Sequence, residues 1–385
     1  MQVLIDLTQV PVGRMGIGSY AENLLEQFRE VAPDISVTVV LQSDDPALRA
    51  ALPKRVRAFE LPARLFRWFP ARLIFEQLVL PFLAWRCRAD VLHSLHYSLP
   101  LLAGRARRVV TMHDMTAYLL PHMHTRAKGA YMRFFIRRAV RRADRLIFVS
   151  ASALDDCRRW FQLPLDNAVV VHHGKSDAFR PDGSPEAVAN VRARYGLPSR
   201  YLLYLGTLEP RKNIPLLLRA FADLAQRDPE AWLVIAGKKG WYFDEIFHTV
   251  DALNLANRVI FTGYVDEADK PALLRGASLF VYPSVHEGFG VPVLEAMASG
   301  VPTIAGNRTS IPEIAGDGAL LIDPASLPEL TAALEHLYTD VAARSELAAR
   351  GLAQAAKFSW RKTAEETAAV YREAGQSKAA AQPKA

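Results

Sequence analysis

Cysteine is scarce in this chain: of 385 residues only Cys87 and Cys157 carry a thiol. Two thiols this far apart give neither a disulfide framework nor the spacing of a zinc ribbon or an iron–sulfur site, and they fit a reducing, cytoplasmic compartment. Long apolar runs are missing as well. The most apolar window, Leu73 to Ala84, is interrupted by Glu76 and Gln77 and is too short to span a bilayer. No basic-then-apolar leader precedes the strand-like run Val3 to Leu7, so no secretory signal is expected. Asp-x-Asp occurs nowhere. Helix-turn-helix, RNA-recognition and zinc-finger signatures are also absent, which leaves nucleic-acid binding with only the chain's basicity to support it.

Half of the residues are hydrophobic and 23% are charged, enough to bury a sizeable core. At about 150 residues per domain the length predicts two to three domains. The formal net charge of +7 is unevenly divided. Residues 1 to 172 hold 24 Lys and Arg against 15 Asp and Glu, a net of +9, which leaves 23 against 25, or −2, for the rest. Lys54 to Arg159 alone carries 21 basic and 7 acidic residues, interleaved with Phe66, Trp68, Phe69, Trp85, Phe134 and Phe135. That stretch seeks anions.

Short runs of Val, Ile and Leu recur between longer helical patterns without polar alternation, as expected of parallel strands buried on both faces. The predicted class is α/β. The first series of strands is Val3 to Leu7, Val37 to Leu41, Val91 to Ser94, Val109 to His113, Leu146 to Ser150 and Ala168 to His172. The second is Tyr201 to Gly206, Trp232 to Gly237, Val259 to Gly263, Leu279 to Pro283, Pro302 to Gly306 and Ala319 to Ile322. Turn formers crowd Phe179 to Pro185 between them, so the domains are expected to be 1–180 and 181–359. A last helix comes after them over 360–375, and 376–385 is expected to be a disordered tail. Two successive series predict two doubly wound halves.

In such sheets ligands bind beyond the carboxyl ends of the strands, and four places there carry chemistry. Gly13-Arg14-Met15-Gly16-Ile17-Gly18 opens a helix; it is either a flexible loop or a backbone that approaches an anion, and Gly16-x-Gly18-x-x-Ala21 also matches a dinucleotide fingerprint placed too far from its strand. His113, with His93 and His96 before it, can donate to a sugar hydroxyl or a developing anion, or can be structural; these histidines lack a convincing fourth ligand for zinc. In Gly206-Thr207-Leu208-Glu209-Pro210-Arg211-Lys212-Asn213, two cations at a helix start make a phosphate cradle unless Glu209 pairs with one of them. In Ser284 to Met297, Glu287 and Glu295 flank a glycine-containing loop and a helix started by Pro292, with Glu295 expected in its first turn. Such carboxylates accept sugar hydroxyls.

These blocks resemble the retaining nucleotide-sugar glycosyltransferases of family four. Glu287-x7-Glu295 within His-Glu-Gly-Phe-Gly, the Gly206 to Asn213 block, Val149-Ser150, Gly174 and Phe358-Ser359-Trp360 stand in that family's order over nearly the whole chain. The resemblance implies the GT-B fold, two Rossmann-like domains facing a central cleft, with the N-terminal domain binding acceptor, the C-terminal one donor, and the last helix, 360–375, crossing back to complete the first. It implies that Lys212 and Arg211 hold the donor diphosphate, that Glu295 binds ribose, and that Glu287 with the amides of Gly288, Phe289 and Gly290 holds the sugar and distal phosphate. It further implies that Gly263, Tyr264 and Val265 lie near the base, that His113 contacts the transferred sugar, and that Gly16, Ile17 and Gly18 touch phosphate or acceptor. Thr207 departs from the Arg that many relatives have there. With no Asp-x-Asp, metal-independent transfer is implied, with no cofactor. Lys212→Ala is expected to lower turnover by orders of magnitude and leave the fold intact.

The overall pattern looks most like bacterial mannosyltransferases of O-antigen or exopolysaccharide pathways, so GDP-mannose is the first donor, with UDP-glucose or UDP-GlcNAc as alternatives. Tyr131 to Arg142 reads as a cationic amphipathic helix and Arg64 to Arg88 as a second basic-apolar stretch. They imply reversible association with an anionic inner-membrane surface that delivers a polyprenyl-diphosphate-linked acceptor. Two other readings stay open: an NAD-dependent oxidoreductase or epimerase using Gly16-x-Gly18, and a phosphorylase or nucleotide-sugar synthase on the same fold.

Overall fold

The structure, a computed structural model, describes residues 1–8, 17–44, 46–53, 56–63 and 69–376. The chain forms two compact units, Met1–Gly174 together with the segment from Ser359, and Lys175–Phe358. The anticipated boundary at 180/181 therefore lies inside the second unit. Packing explains the difference. Pro181 abuts Gly300 and Gly183 lies against the Arg275 guanidinium, so the turn-rich segment belongs to the second unit, whereas a Cβ on Gly174 would stand 2.0 Å from the Trp360 amide nitrogen.

In the first unit a parallel sheet runs β3-β2-β1-β4-β5-β6-β7. Its strands are β1 (Gln2–Asp6), β2 (Ser36–Gln42), β3 (Arg57–Leu61), β4 (Val91–Ser94), β5 (Arg107–Met112), β6 (Arg145–Phe148) and β7 (Ala168–Val170). Val3 faces Val37 on one side and Val91 on the other. The inner strands bury both faces, which is why their sequences do not alternate. The unanticipated strand is β3, an edge strand whose Arg57 and Glu60 reach solvent. Helices Ile17–Val31 and Trp360–Gln376 cover one face together, joining Leu24 and Phe28 to Trp360, Ala368 and Tyr371 in one core. Helix Arg126–Arg142 closes a second core with Met132, Phe135, Ile136 and Ala139.

The second unit's parallel sheet runs β10-β9-β8-β11-β12-β13. Its strands are β8 (Leu202–Leu205), β9 (Leu233–Ala236), β10 (Val259–Gly263), β11 (Leu279–Tyr282), β12 (Thr303–Gly306) and β13 (Leu320–Ile322). Both sheets start at an inner strand, wind outward, and then reverse. Their switch points, where the crevice for a ligand opens, fall between β1 and β4 and between β8 and β11.

Candidate functional site

At the β8/β11 switch point the chain leaves β8 through Gly206 and turns inward at Pro210–Lys212, which buries Lys212. Asn213 takes the left-handed conformation, φ 56°, tolerated by a short amide side chain. Its Nδ2 donates to the Pro324 carbonyl at 2.7 Å, which fixes the start of helix Ile214–Arg227. From the other side of the switch point Glu287 comes after β11. Lys212 Nζ lies 2.6 Å from Glu287 Oε1, and Arg211 Nη1 donates to Oε2 at 2.8 Å. Ser284 Oγ is 2.6 Å from Oε1. Arg211 also meets Glu209 at 2.6 Å. The sequence left open which cation Glu209 would take, and it takes Arg211.

Lys212 Nζ sits 2.5 Å from the Tyr282 hydroxyl, whose ring stacks on Tyr204 at 5.7 Å. Burial opposes ionisation of Glu287, but the Arg211 and Lys212 cations outweigh it and hold the carboxyl well below its usual range. Glu287 is thus charged throughout the neutral range, an acceptor of hydrogen bonds and not a proton carrier. Arg211 keeps about a quarter of its side chain in water, at 24%, against 7% for Lys212.

Gly290, at φ 100°, leads into helix Val291–Ala298, and a Cβ there would stand 2.5 Å from Ile311 Cδ1. Only glycine fits both constraints. The helix begins at Val291 with Pro292 behind it, a start whose first backbone amides have no intrahelical acceptor. Glu295 stands one turn further along than expected, in the second turn, because the helix starts only after the glycine. It is half-buried, and burial pushes its pKa up to about 7, with Lys270 resisting and Glu267 adding to the rise. The two carboxylates of one motif are therefore driven in opposite directions.

Gly263 (φ 70°), exposed Tyr264 and buried Val265 close β10 and lead out of it. The Gly263 carbonyl accepts from the Gly237 amide at 2.8 Å. That contact brings in a segment for which the sequence raised no expectation, Gly237-Lys238-Lys239-Gly240. Leu208 N donates to the Lys238 carbonyl and Gly240 N to the Leu208 carbonyl, each at 2.9 Å. A Cβ on Gly237 would lie 1.9 Å from the Gly206 carbonyl oxygen. Lys239 rests over the Phe243 and Phe247 rings at 5.0 and 4.6 Å. Two exposed lysines, Lys238 and Lys239, thus adjoin the Gly206 to Asn213 block. Two glycines bracketing two lysines directly after a strand were the available signal.

In the first unit, His113 comes directly after β5 and its Nε2 lies 2.8 Å from the Leu95 carbonyl. A carbonyl only accepts, so Nε2 carries the proton and Nδ1 the lone pair. The Tyr20 and His173 rings stand nearly perpendicular to it, with centroids 5.6 and 5.8 Å away, and burial lowers the His113 pKa, with the Leu95 bond resisting. His93 is structural: Nδ1 meets the Tyr371 hydroxyl at 2.6 Å and Nε2 the Thr111 hydroxyl at 2.8 Å. Burial pushes its pKa down to about 3. His96 lies against the Tyr97 ring, 3.5 Å between centroids. Gly16 lies outside the described residues, while Ile17 and a buried Gly18 open helix Ile17–Val31. Among the described residues no group of three or more His, Cys, Asp and Glu side chains is placed to share a metal ion.

Residues 15–176 match the family model described as Glycosyltransferase Family 4, and residues 190–354 the one described as Glycosyl transferases group 1. The O-antigen chain mannosyltransferase B of Escherichia coli is 34% identical over 284 residues, which cover 73% of this chain and 74% of that protein. The serotype-specific mannosyltransferase WbdA of the same organism is 32% identical over 71% of this chain, but the match spans only 34% of WbdA. Among solved structures, HepE of Anabaena, determined with UDP and glucose, superposes with a TM-score of 0.76 over 96% of this chain and 98% of its own, at 20% identity. That likeness is one of fold, GT-B.

Proposed function

Because the chain belongs to glycosyltransferase family 4, we propose that it moves a hexose from a nucleotide-sugar to a glycan or lipid-linked acceptor, with GDP-mannose as the first donor. The observation that carries the donor half is Glu287 held ionised between Lys212 and Arg211 at the β8/β11 switch point. In this reading Lys212, Arg211 and the amides of Gly288, Phe289 and Gly290 meet the diphosphate, so charge on the leaving group is stabilised without a divalent cation. Glu287 accepts hydroxyls of the sugar, and Glu295 those of the ribose. Gly263, Tyr264 and Val265 border the base. His113 contacts the transferred sugar as a neutral imidazole, and Gly16, Ile17 and Gly18 adjoin phosphate or acceptor. The acceptor attacks from the face that the diphosphate leaves, and the configuration is retained.

Mannose is favoured by the Escherichia coli relatives, both named as mannosyltransferases and one of them as acting on the O-antigen chain. UDP-glucose is the second donor to try. A polyprenyl-diphosphate-linked acceptor at the inner face of the plasma membrane fits the basic first unit.

Thermal shifts with GDP, UDP, ADP, dTDP and NAD, each in EDTA and in magnesium, test the donor half. A nucleotide bound at about 100 Kd adds roughly 2.7 kcal/mol. GDP is expected to stabilise in EDTA, and Lys212→Ala to lower transfer from GDP-mannose by orders of magnitude. Stabilisation by NAD alone, or by none of the five, overturns the reading. Retention is read from the anomeric configuration of the product.

A further inference from the structure

Residues 69–86 form one helix, α-helical over Phe69–Ile74, widened by a π turn over Phe75–Val79, and α-helical again over Leu80–Arg86. It is apolar on two opposite sides. The inner side places Phe75, Leu80 and Ala84 in a core with Val40, Leu92 and Ala106. The outer side carries Ile74, Leu78, Phe82 and Trp85, four, four and three residues apart, each more than half exposed. The Phe82 and Trp85 rings stand 5.8 Å apart. Gln77 Nε2 donates to the Leu99 carbonyl at 3.3 Å and Gln77 Oε1 accepts from the Leu101 amide at 2.9 Å. Those bonds fasten the exposed Leu101 and Leu102 beside the row. The inner apolar side accounts for the core contact, and a second, contiguous apolar surface left exposed marks a contact.

Charge identifies the partner. Exposed Arg86 and Arg88 end the helix, and exposed Arg105 lies just beyond Leu102. Within 69–89 and 99–108 the single acidic residue is Glu76, and it is buried on the inner side against Arg72 at 3.1 Å. The surface is therefore apolar at its centre, cationic at its edge and bare of exposed acids. Helix Arg126–Arg142, the other basic-apolar segment, places its apolar side in the core and leaves Phe134 as its exposed large apolar residue.

We propose that Ile74, Leu78, Phe82 and Trp85, with Leu101 and Leu102, insert into the interface of an anionic bilayer while Arg86, Arg88 and Arg105 hold its headgroups. An interfacial helix sinks about 5–10 Å and needs no spanning segment. No helix among the described residues is long and apolar enough to cross a membrane. Trp and Phe suit that depth. The proposal deepens the acceptor half of the function read above, and rests on it, because a docked enzyme meets a lipid-borne acceptor in two dimensions.

The test is co-sedimentation of the full chain with phosphatidylcholine vesicles, with and without phosphatidylglycerol, at low and high salt. Wild type is expected to pellet with the anionic vesicles at low salt only. Phe82→Ser with Trp85→Ser is expected to weaken binding at least about tenfold, and Arg86→Glu with Arg88→Glu to weaken it and remove the salt dependence. Both variants are expected to keep the wild-type thermal shift with GDP, which shows them folded. Loss of that shift in wild type would strike the donor reading and leave the vesicle result to stand alone. Wild type that ignores anionic vesicles, or a serine variant that binds as wild type does, overturns the proposal. So does a concentration-dependent dimer in analytical ultracentrifugation that the serine variant abolishes, since the face would then belong to a second copy.

Discussion

Glu295 and Glu287 show how far eight residues can separate two identical side chains. Glu287 was legible in the sequence as one half of a motif, and the cations it meets were legible too, but that it takes both at once required the turn at Pro210–Lys212 to bring them inward. The same geometry corrects the expectation for Lys212→Ala. Removing the ammonium leaves a buried carboxylate with one cation fewer, so the variant is expected to lose about 2–4 kcal/mol of stability as well as activity. Glu295 gives a prediction with a definite sign. Its folded pKa is raised to about 7, so protonation stabilises the free protein fully below the ordinary glutamate value, and that contribution is lost as pH rises through about 7. A carboxylate that accepts ribose hydroxyls must be ionised, so nucleoside diphosphate affinity is expected to rise as pH climbs through 7. Calorimetric titration with GDP between pH 5.5 and 8.5 should show that rise in wild type and a flatter profile in Glu295→Gln. A parallel slope in the two proteins would remove Glu295 from the ribose.

At the scale of elements, runs of Val, Ile and Leu located every buried strand, because burial on both faces leaves little room for polar residues. The edge strand β3 escaped for the converse reason: one flank is open, and Arg57 and Glu60 break the run. The sequence marked Arg64 to Arg88 as a basic-apolar stretch, but the outer row of helix 69–86 within it was not legible, because a pattern apolar on two sides does not say which side faces water. The Lys238-Lys239 segment escaped because its partner, Leu208, comes from another strand's loop, and the bonds between them are long-range. Gly290 tests the element that aims the amides. Gly290→Ala must adopt φ near 100° and displace Ile311, and is expected to cost about 1–3 kcal/mol and to weaken GDP binding while leaving the first unit's unfolding unchanged. Chemical denaturation with and without GDP measures both.

For the molecule as a whole, the two-domain division was readable from two strand series, and the return of the last helix was implied by the family resemblance alone. The exact crossing points were not readable, because Gly174 and Pro181 are assigned by what they pack against. Acid sensitivity is a further property of the first unit. His93 has its pKa lowered to about 3, so its contribution to stability is whole above the unfolded value near 6.5 and is lost as pH falls toward 3. Between pH 6.5 and 5 that is about 2 kcal/mol. His96, His113 and His173 act in the same direction, whereas Asp6 and Glu76, raised by burial, act in the opposite one. Urea unfolding at pH 7.5 and 5 should therefore show His93→Gln less stable at the higher pH and less sensitive to the change. An unaltered difference between the two pH values would exclude His93 as a source.

The helix Trp360–Gln376 bears on how the protein comes into being. Tyr371 and Trp360 fill the same core as Leu24 and Phe28, and the Tyr371 hydroxyl satisfies His93, yet the whole second unit is synthesised between these partners. The first unit must wait, with that core open, until the second has been made in full. A nascent chain halted just before Trp360 carries a finished second unit and an unfinished first one, so the first-made half of this protein is the last to fold.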